Sequence, residues 1–139
     1  MKNTAGDSGS SCGLKFLVAD DHPDSAESLS ILLRLMECEV QTATDGAQTI
    51  ESAATFLPDV ACLDIAMPLI DGYEVARHIR EQAWGKSMIL VAVTGRGREE
   101  DRDRAREAGF DHHLTKPVEL AELEKLVTLA HTSKRPSPM

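Results

Sequence analysis

Cysteine is sparse in this chain: three residues, Cys12, Cys38 and Cys62, stand far apart and form no CxxC pair. That spacing argues against a zinc site and against a disulfide framework, so a reducing, cytoplasmic home is expected. Long hydrophobic runs are missing too. No apolar segment approaches membrane-spanning length, and the opening Met1-Lys2-Asn3-Thr4-Ala5-Gly6-Asp7 lacks the apolar core of a signal peptide. No membrane partner is expected. Positive charge is in deficit: the net charge is −8, which argues against a nucleic-acid backbone as the main partner. Internal repeats are absent as well. What remains is 139 residues, 42% hydrophobic and 27% charged, enough for one soluble domain with a real core.

Residues 15–19 form a short apolar strand that ends at Asp20-Asp21. Pro23 opens a helix whose stripe is Ala26, Leu29, Leu32 or Leu33, and Met36. A second strand spans 40–43, and a helix over 47–56 is stopped by Pro58. Residues 60–63 (Val-Ala-Cys-Leu) are continuously apolar, the pattern of a strand buried on both faces. Asp64 follows directly, and Pro68 with Asp71-Gly72 then enforces a loop. The spacing of Val75, Ile79 and Gln82 predicts a helix over 72–82. Residues 88–93 are the most strand-like stretch and end at Thr94-Gly95, and a charged helix over 99–108 stops at Gly109. A weaker fifth strand spans 110–114 before Thr115-Lys116-Pro117, and a last helix spans 120–131 with Leu120, Leu123, Leu126, Val127 and Ala130 on one face. Residues 1–13, rich in Gly and Ser, read as a disordered tail and 132–139 as a flexible one, leaving 14–131 as the domain.

Strand and helix alternate five times. That is the pattern of a doubly wound α/β domain, a parallel sheet with helices on both faces. In such sheets the working site lies outside the carboxyl ends of the strands. Those ends carry Asp20 and Asp21, Asp64, Thr94, and Lys116 before Pro117. Taken singly, each has a plainer explanation as a turn, cap or surface residue. Gathered on one rim, they make a site. Clustered carboxylates repel unless a cation sits among them, and oxygen ligands suit a hard ion such as Mg²⁺. A carboxylate beside that ion can attack phosphorus to give an aspartyl phosphate. The ion, the Thr94 hydroxyl and the Lys116 ammonium then suffice for the three phosphoryl oxygens.

These residues, Asp20-Asp21, Asp64 with Met67-Pro68 and Asp71-Gly72, Thr94-Gly95, and Lys116-Pro117, resemble the receiver domain of two-component response regulators over roughly residues 14–131. The resemblance implies a flavodoxin-like five-stranded sheet of order 2-1-3-4-5. It implies Asp64 as phosphoacceptor, Asp21, Asp64 and the Ala66 carbonyl as Mg²⁺ ligands, and Asp20 acting through water. Thr94 would be the switch hydroxyl and Lys116 the phosphate-binding lysine, with a cis Lys116–Pro117 bond. The phosphoryl donor would be a histidine kinase or a histidine phosphotransfer protein, and the downstream protein partner is not specified. No turnover beyond self-phosphorylation and self-dephosphorylation at Asp64 is implied. Such a receiver works alone, like chemotaxis-type regulators, or as a relay or sink excised from a hybrid histidine kinase. One position departs from the pattern. The family usually carries Tyr or Phe three residues before the lysine, and here His113 stands there. We expect His113 to follow Thr94, with weaker packing and a pH dependence; the plainer alternative is a half-exposed histidine without a switch role.

Other signals carry less. Gly95-Arg96-Gly97 has Glu100 where a dinucleotide loop needs its third glycine. Arg96, Arg98, Arg102, Arg104 and Arg106 are balanced by Glu99, Glu100, Asp101, Asp103 and Glu107, the composition of a solvated face or a docking surface. His22, His78, His112 and His131 show no metal-ligand spacing, and Cys62 belongs to the core. An aspartyl-phosphate phosphohydrolase would place a second acid two residues after its nucleophile on strand one, where His22 stands. A flavin carrier would need a Ser/Thr/Gly cradle where Asp20-Asp21 stands.

Overall fold

The computed structural model describes residues 13–67, 69–95 and 99–134, with the backbone alone at 99–101, 133 and 134. Five strands, β1 (Lys15–Ala19), β2 (Glu39–Ala43), β3 (Val60–Asp64), β4 (Ile89–Thr94) and β5 (His112–Thr115), alternate with α1 (Pro23–Leu35), α2 (Gly46–Phe56), α3 (Gly72–Glu81), α4 (Glu99–Ala108) and α5 (Leu120–Lys134). A short 3₁₀ turn, Ala83–Gly85, precedes β4. All pairings are parallel, and the strand order is β2-β1-β3-β4-β5. This is the expected flavodoxin-like order.

The continuous apolar strands reflect two cores, one on each face. Because side chains alternate along a strand, Val60 and Cys62 enter the layer with α1 and α5, beside Phe16, Val18, Leu33 and Leu123. Ala61 and Leu63 enter the other layer, beside Leu17, Val75, Ile79 and Leu90. Neither face has room for the polar half of an amphipathic strand. The helices start where short acids cap them: Asp45 accepts from Gln48 N at 2.7 Å and Asp71 from Glu74 N at 3.0 Å. Pro23 supplies the first residue of α1.

Some expectations need correction. The fifth strand begins at His112, not 110. Phe110 N bonds back to the Ala105 carbonyl at 2.9 Å, and the Phe110 ring packs edge-on against Tyr73 at 6.5 Å. Its apolarity thus serves the end of α4 rather than a strand. Gln82 caps α3 outside the apolar face, and Leu120 is 43% exposed at the first turn of α5. Helix α5 continues through residues 132–134 and Gly13 is described; the rest of the two expected tails, 1–12 and 135–139, lies outside the described residues. Cys38 is buried just ahead of β2, and Cys62 is buried and free. The parallel pairing of Lys15 with Glu39 sets the chain entering β1 beside the chain entering β2, a proximity that sequence separation hides. Among the described residues, no helix is long and apolar enough to cross a membrane.

Candidate functional site

Every strand that ends on the carboxyl rim at β1, β3, β4 and β5 delivers a functional group there. Asp20 follows β1, its backbone N–H tied to the Ala43 carbonyl at 3.0 Å. Asp64 closes β3 and pairs in register with Val93 of β4. Both acids are buried, 5% and 4% exposed. Each spends one oxygen on its own loop and turns the other to Lys116. Asp20 Oδ1 accepts from His22 N at 2.9 Å, and Asp64 Oδ1 accepts from Ala66 N at 2.9 Å. Lys116 Nζ then donates to Asp20 Oδ2 at 3.0 Å and to Asp64 Oδ2 at 3.1 Å. Lys116 is brought there by its own backbone N–H, which bonds the Thr94 carbonyl at 2.7 Å, and its peptide bond to Pro117 is cis.

Thr94 is buried at the end of β4, and its Oγ1 lies 3.1 Å from His113 Nε2. Register explains the contact: Ala92 pairs with His113 and Thr94 with Thr115, so Thr94 and His113 are diagonal neighbours on one face. The loop after Asp64 is compressed against the strand. A Cβ on Gly72 would stand 2.7 Å from Ile65 Cα and 2.9 Å from the Asp64 carbonyl. Only glycine lets α3 begin so close to the phosphoacceptor candidate. Leu69, 97% exposed at φ 68°, stands at the mouth of that loop.

Residues 16–128 match the response regulator receiver domain family. The chain belongs to that family. A 14.6 kDa uncharacterized protein of Leptolyngbya boryana is 36% identical over 114 residues, covering 82% of this chain and 87% of that one. The transcriptional regulatory protein PrrA of Mycobacterium tuberculosis is 41% identical over 109 residues, 78% of this chain but 46% of PrrA, so the receiver spans about half of that relative. The crystal structure of the receiver domain of sensor histidine kinase PA1611 from Pseudomonas aeruginosa, with magnesium in its active-site cleft, superposes with a TM-score of 0.78. It is 30% identical and covers 84% of this chain and 96% of that one.

The receiver's acids do not titrate alike. Burial pushes Asp64 up, and the negative charge of Asp20 adds to it; the Ala66 N–H and Lys116 offset only part of this. Burial pushes Asp20 the same way, but the His22 N–H and Lys116 overcome it and hold that carboxyl low. Lys116 loses by burial and gains more from the two carboxylates, so its ammonium is held above the ordinary range. Among the described residues, one lysine faces an excess of carboxylate. Ligand atoms of Asp20, Asp21, His22 and Asp64 all lie within 4.8 Å of one another, and the buried Asp21 Oδ1 accepts no hydrogen bond. An oxygen-rich cluster with an unsatisfied buried oxygen fits a hard divalent cation.

His22 corrects an expectation. It shows no metal-ligand spacing in the sequence, yet its Nδ1 stands 3.5 Å from Asp20 Oδ1 and 3.3 Å from Asp21 Oδ1. The readable signal was its place between an acid pair and the helix-opening Pro23, which holds it at the rim as the residue preceding α1. His112 is half-buried, and His78 and His131 are exposed away from this cluster. Cys62 is fully buried, and burial pushes its thiol up to about 12. Arg102, Arg104 and Arg106 are exposed, with Arg104 over the Tyr73 ring at 4.2 Å and Arg106 paired to Asp103. Arg96, Arg98 and the Gly-Arg-Gly loop lie outside the described residues.

Proposed function

We propose that this receiver takes a phosphoryl group onto Asp64 and signals through the state that results. The observation that carries the reading is the Lys116 ammonium held between Asp20 and Asp64 at 3.0 and 3.1 Å. A lysine so placed can turn from the carboxylates to an incoming phosphoryl oxygen without moving its backbone. In the transfer, an Asp64 oxygen forms a bond to phosphorus while the donor's N–P bond breaks, its electron pair returning to the donor imidazole. Lys116 and the Thr94 hydroxyl are the groups of this chain that stabilise the oxygens of the transferred group. Asp21, Asp64 and the Ala66 carbonyl would hold Mg²⁺, with Asp20 acting through water. The ion supplies charge neutralisation at the phosphoryl oxygens.

The donor we assign is a histidine kinase or a histidine phosphotransfer protein, and the compartment is the cytoplasm. A relative of 30% identity is itself the receiver of a sensor histidine kinase, which also supports a relay role within a larger kinase. Output would pass through the surface of α4, β5 and α5 to a protein partner. We assign no turnover of outside substrates. Incubation with a small acyl phosphate and Mg²⁺, followed by intact mass, tests the reading. The wild type gains one labile phosphoryl group and Asp64→Asn gains none; equal uptake by the variant, or turnover of generic phosphate esters, overturns it.

A further inference from the structure

We infer that His22 is a specificity-determining ligand of the cation site: its imidazole Nδ1 takes a coordination position beside Asp21 and tilts the receiver from Mg²⁺ toward first-row transition dications. The inference rests on the cation site of the proposed function and adds a donor to it. Carboxylate, carbonyl and water oxygens suit Mg²⁺, whereas imidazole nitrogen suits softer ions such as Co²⁺, Ni²⁺ and Zn²⁺. Distances carry the assignment. Nδ1 of His22 stands 3.3 Å from Asp21 Oδ1 and 3.5 Å from Asp20 Oδ1. Adjacent donors around an octahedral ion bound at about 2.1 Å stand about 3 Å apart. Asp21 Oδ1 is nevertheless buried and accepts no hydrogen bond. A buried carboxylate oxygen and a ring nitrogen thus converge without a hydrogen bond between them, and one dication satisfies both. An Asp64 oxygen lies in the same group, all of it within 4.8 Å.

The backbone holds the imidazole at this place. His22 N donates to Asp20 Oδ1 at 2.9 Å. Pro23 opens α1 and keeps His22 extended, at φ −99° and ψ 109°. Recruiting the ring therefore orders side-chain torsions only. The side chain is 73% exposed, so it reaches the ion from the solvent side, where Mg²⁺ keeps waters. Replacing one such water by nitrogen favours an ion that binds nitrogen well and gives Mg²⁺ little. His78, His112, His113 and His131 stand outside the group.

The experiment uses the full chain with Mg²⁺ and Co²⁺ as probes, calorimetric affinities for each, and proton NMR of the Co²⁺ form. In wild type, direct ligation moves the His22 ring protons far outside the diamagnetic range, and those signals are missing from His22→Ala and His22→Phe. The preference for Co²⁺ over Mg²⁺ falls roughly 10-fold in both variants, the low end of what a group supporting a metal site is worth. Phe keeps a ring without its nitrogen, so a role in packing or shielding would survive in it. A Co²⁺-loaded wild type without shifted imidazole protons overturns the inference alone, as do shifted signals that persist in the variants or variants that keep the wild-type preference. An equal loss of both ions overturns it too, because it would mark His22 as a general support of the acid pair. Failure of the wild type to bind either ion, or binding that Asp64→Asn leaves intact, overturns the cation reading and this inference with it.

Discussion

The two ends of the sheet treat charge in opposite ways. At the amino ends of β4 and β5, one guanidinium closes the structure. Arg80 donates through Nε to the Gly109 carbonyl at 2.9 Å and through Nη1 to the carbonyls of Gly85 and Met88 at 2.9 and 2.6 Å. Its Nη2 pairs with Asp111 at 2.7 Å, and the same Asp111 oxygen accepts from Leu90 N at 2.9 Å. Donors and acceptors there are matched. At the carboxyl ends, Lys116 is the one lysine or arginine among the described residues paired with Asp20 and Asp64, Asp21 keeps a buried oxygen without a hydrogen bond, and burial raises Asp64. Matched charge maintains shape. Unmatched charge is what the proposed cation and phosphoryl group would neutralise, and it is held at a cost in stability.

If that contrast is right, damage to the amino end should lower stability and spare the site. Arg80→Met strands several carbonyls and Asp111 together, and we expect a loss of about 2–4 kcal/mol in urea unfolding. Its Mg²⁺-induced stabilisation should survive. Gly85→Ala is the next largest. Its Cβ would stand 2.0 Å from the Ile79 carbonyl oxygen, and the forced shift should cost about 1–3 kcal/mol. A variant that unfolds at the wild-type midpoint would mean that the clip is decorative.

Titration of the metal-free protein sharpens the carboxyl end. Lys116, raised above its ordinary 10.5, contributes stability that is present below that value and lost as pH climbs through the higher folded one. Asp20, lowered, contributes above its ordinary 3.8 and loses this as pH falls further. Asp64, raised, works the other way: its ionised form destabilises at neutral pH, and protonation relieves it as pH falls. Lys116→Met should therefore flatten the alkaline limb of a Tm-against-pH curve; an unchanged limb would show that the two ion pairs contribute nothing. The smallest effect is chemical. Cys62, buried with its thiol pushed up to about 12, should resist maleimide in native protein and react fully after unfolding.

Much of this was legible beforehand because strand–helix alternation locates strand ends, and Asp20, Asp21, Asp64, Thr94 and Lys116 all sit at such ends. What could not be read depends on partners distant in sequence or on backbone. Arg80 looks like any last-turn arginine, since most of its acceptors are main-chain carbonyls. Phe110 has the apolarity of a strand residue, but a backbone bond to Ala105 commits it to the helix end. His113 stands out as a departure, yet its contact with Thr94 appears only once the β4–β5 register is known. His22 acquires its acidic neighbours through the fold in the same way.

Thermal unfolding of wild type and Asp64→Asn, each in EDTA and in Mg²⁺, tests most directly whether the carboxyl end holds charge for a ligand. In EDTA the variant should melt higher, by an amount equivalent to about 1 kcal/mol for removal of a buried like charge. Mg²⁺ should then raise the wild type clearly and the variant much less. An Asp64→Asn protein that melts below wild type in EDTA and gains equally from Mg²⁺ would contradict the account.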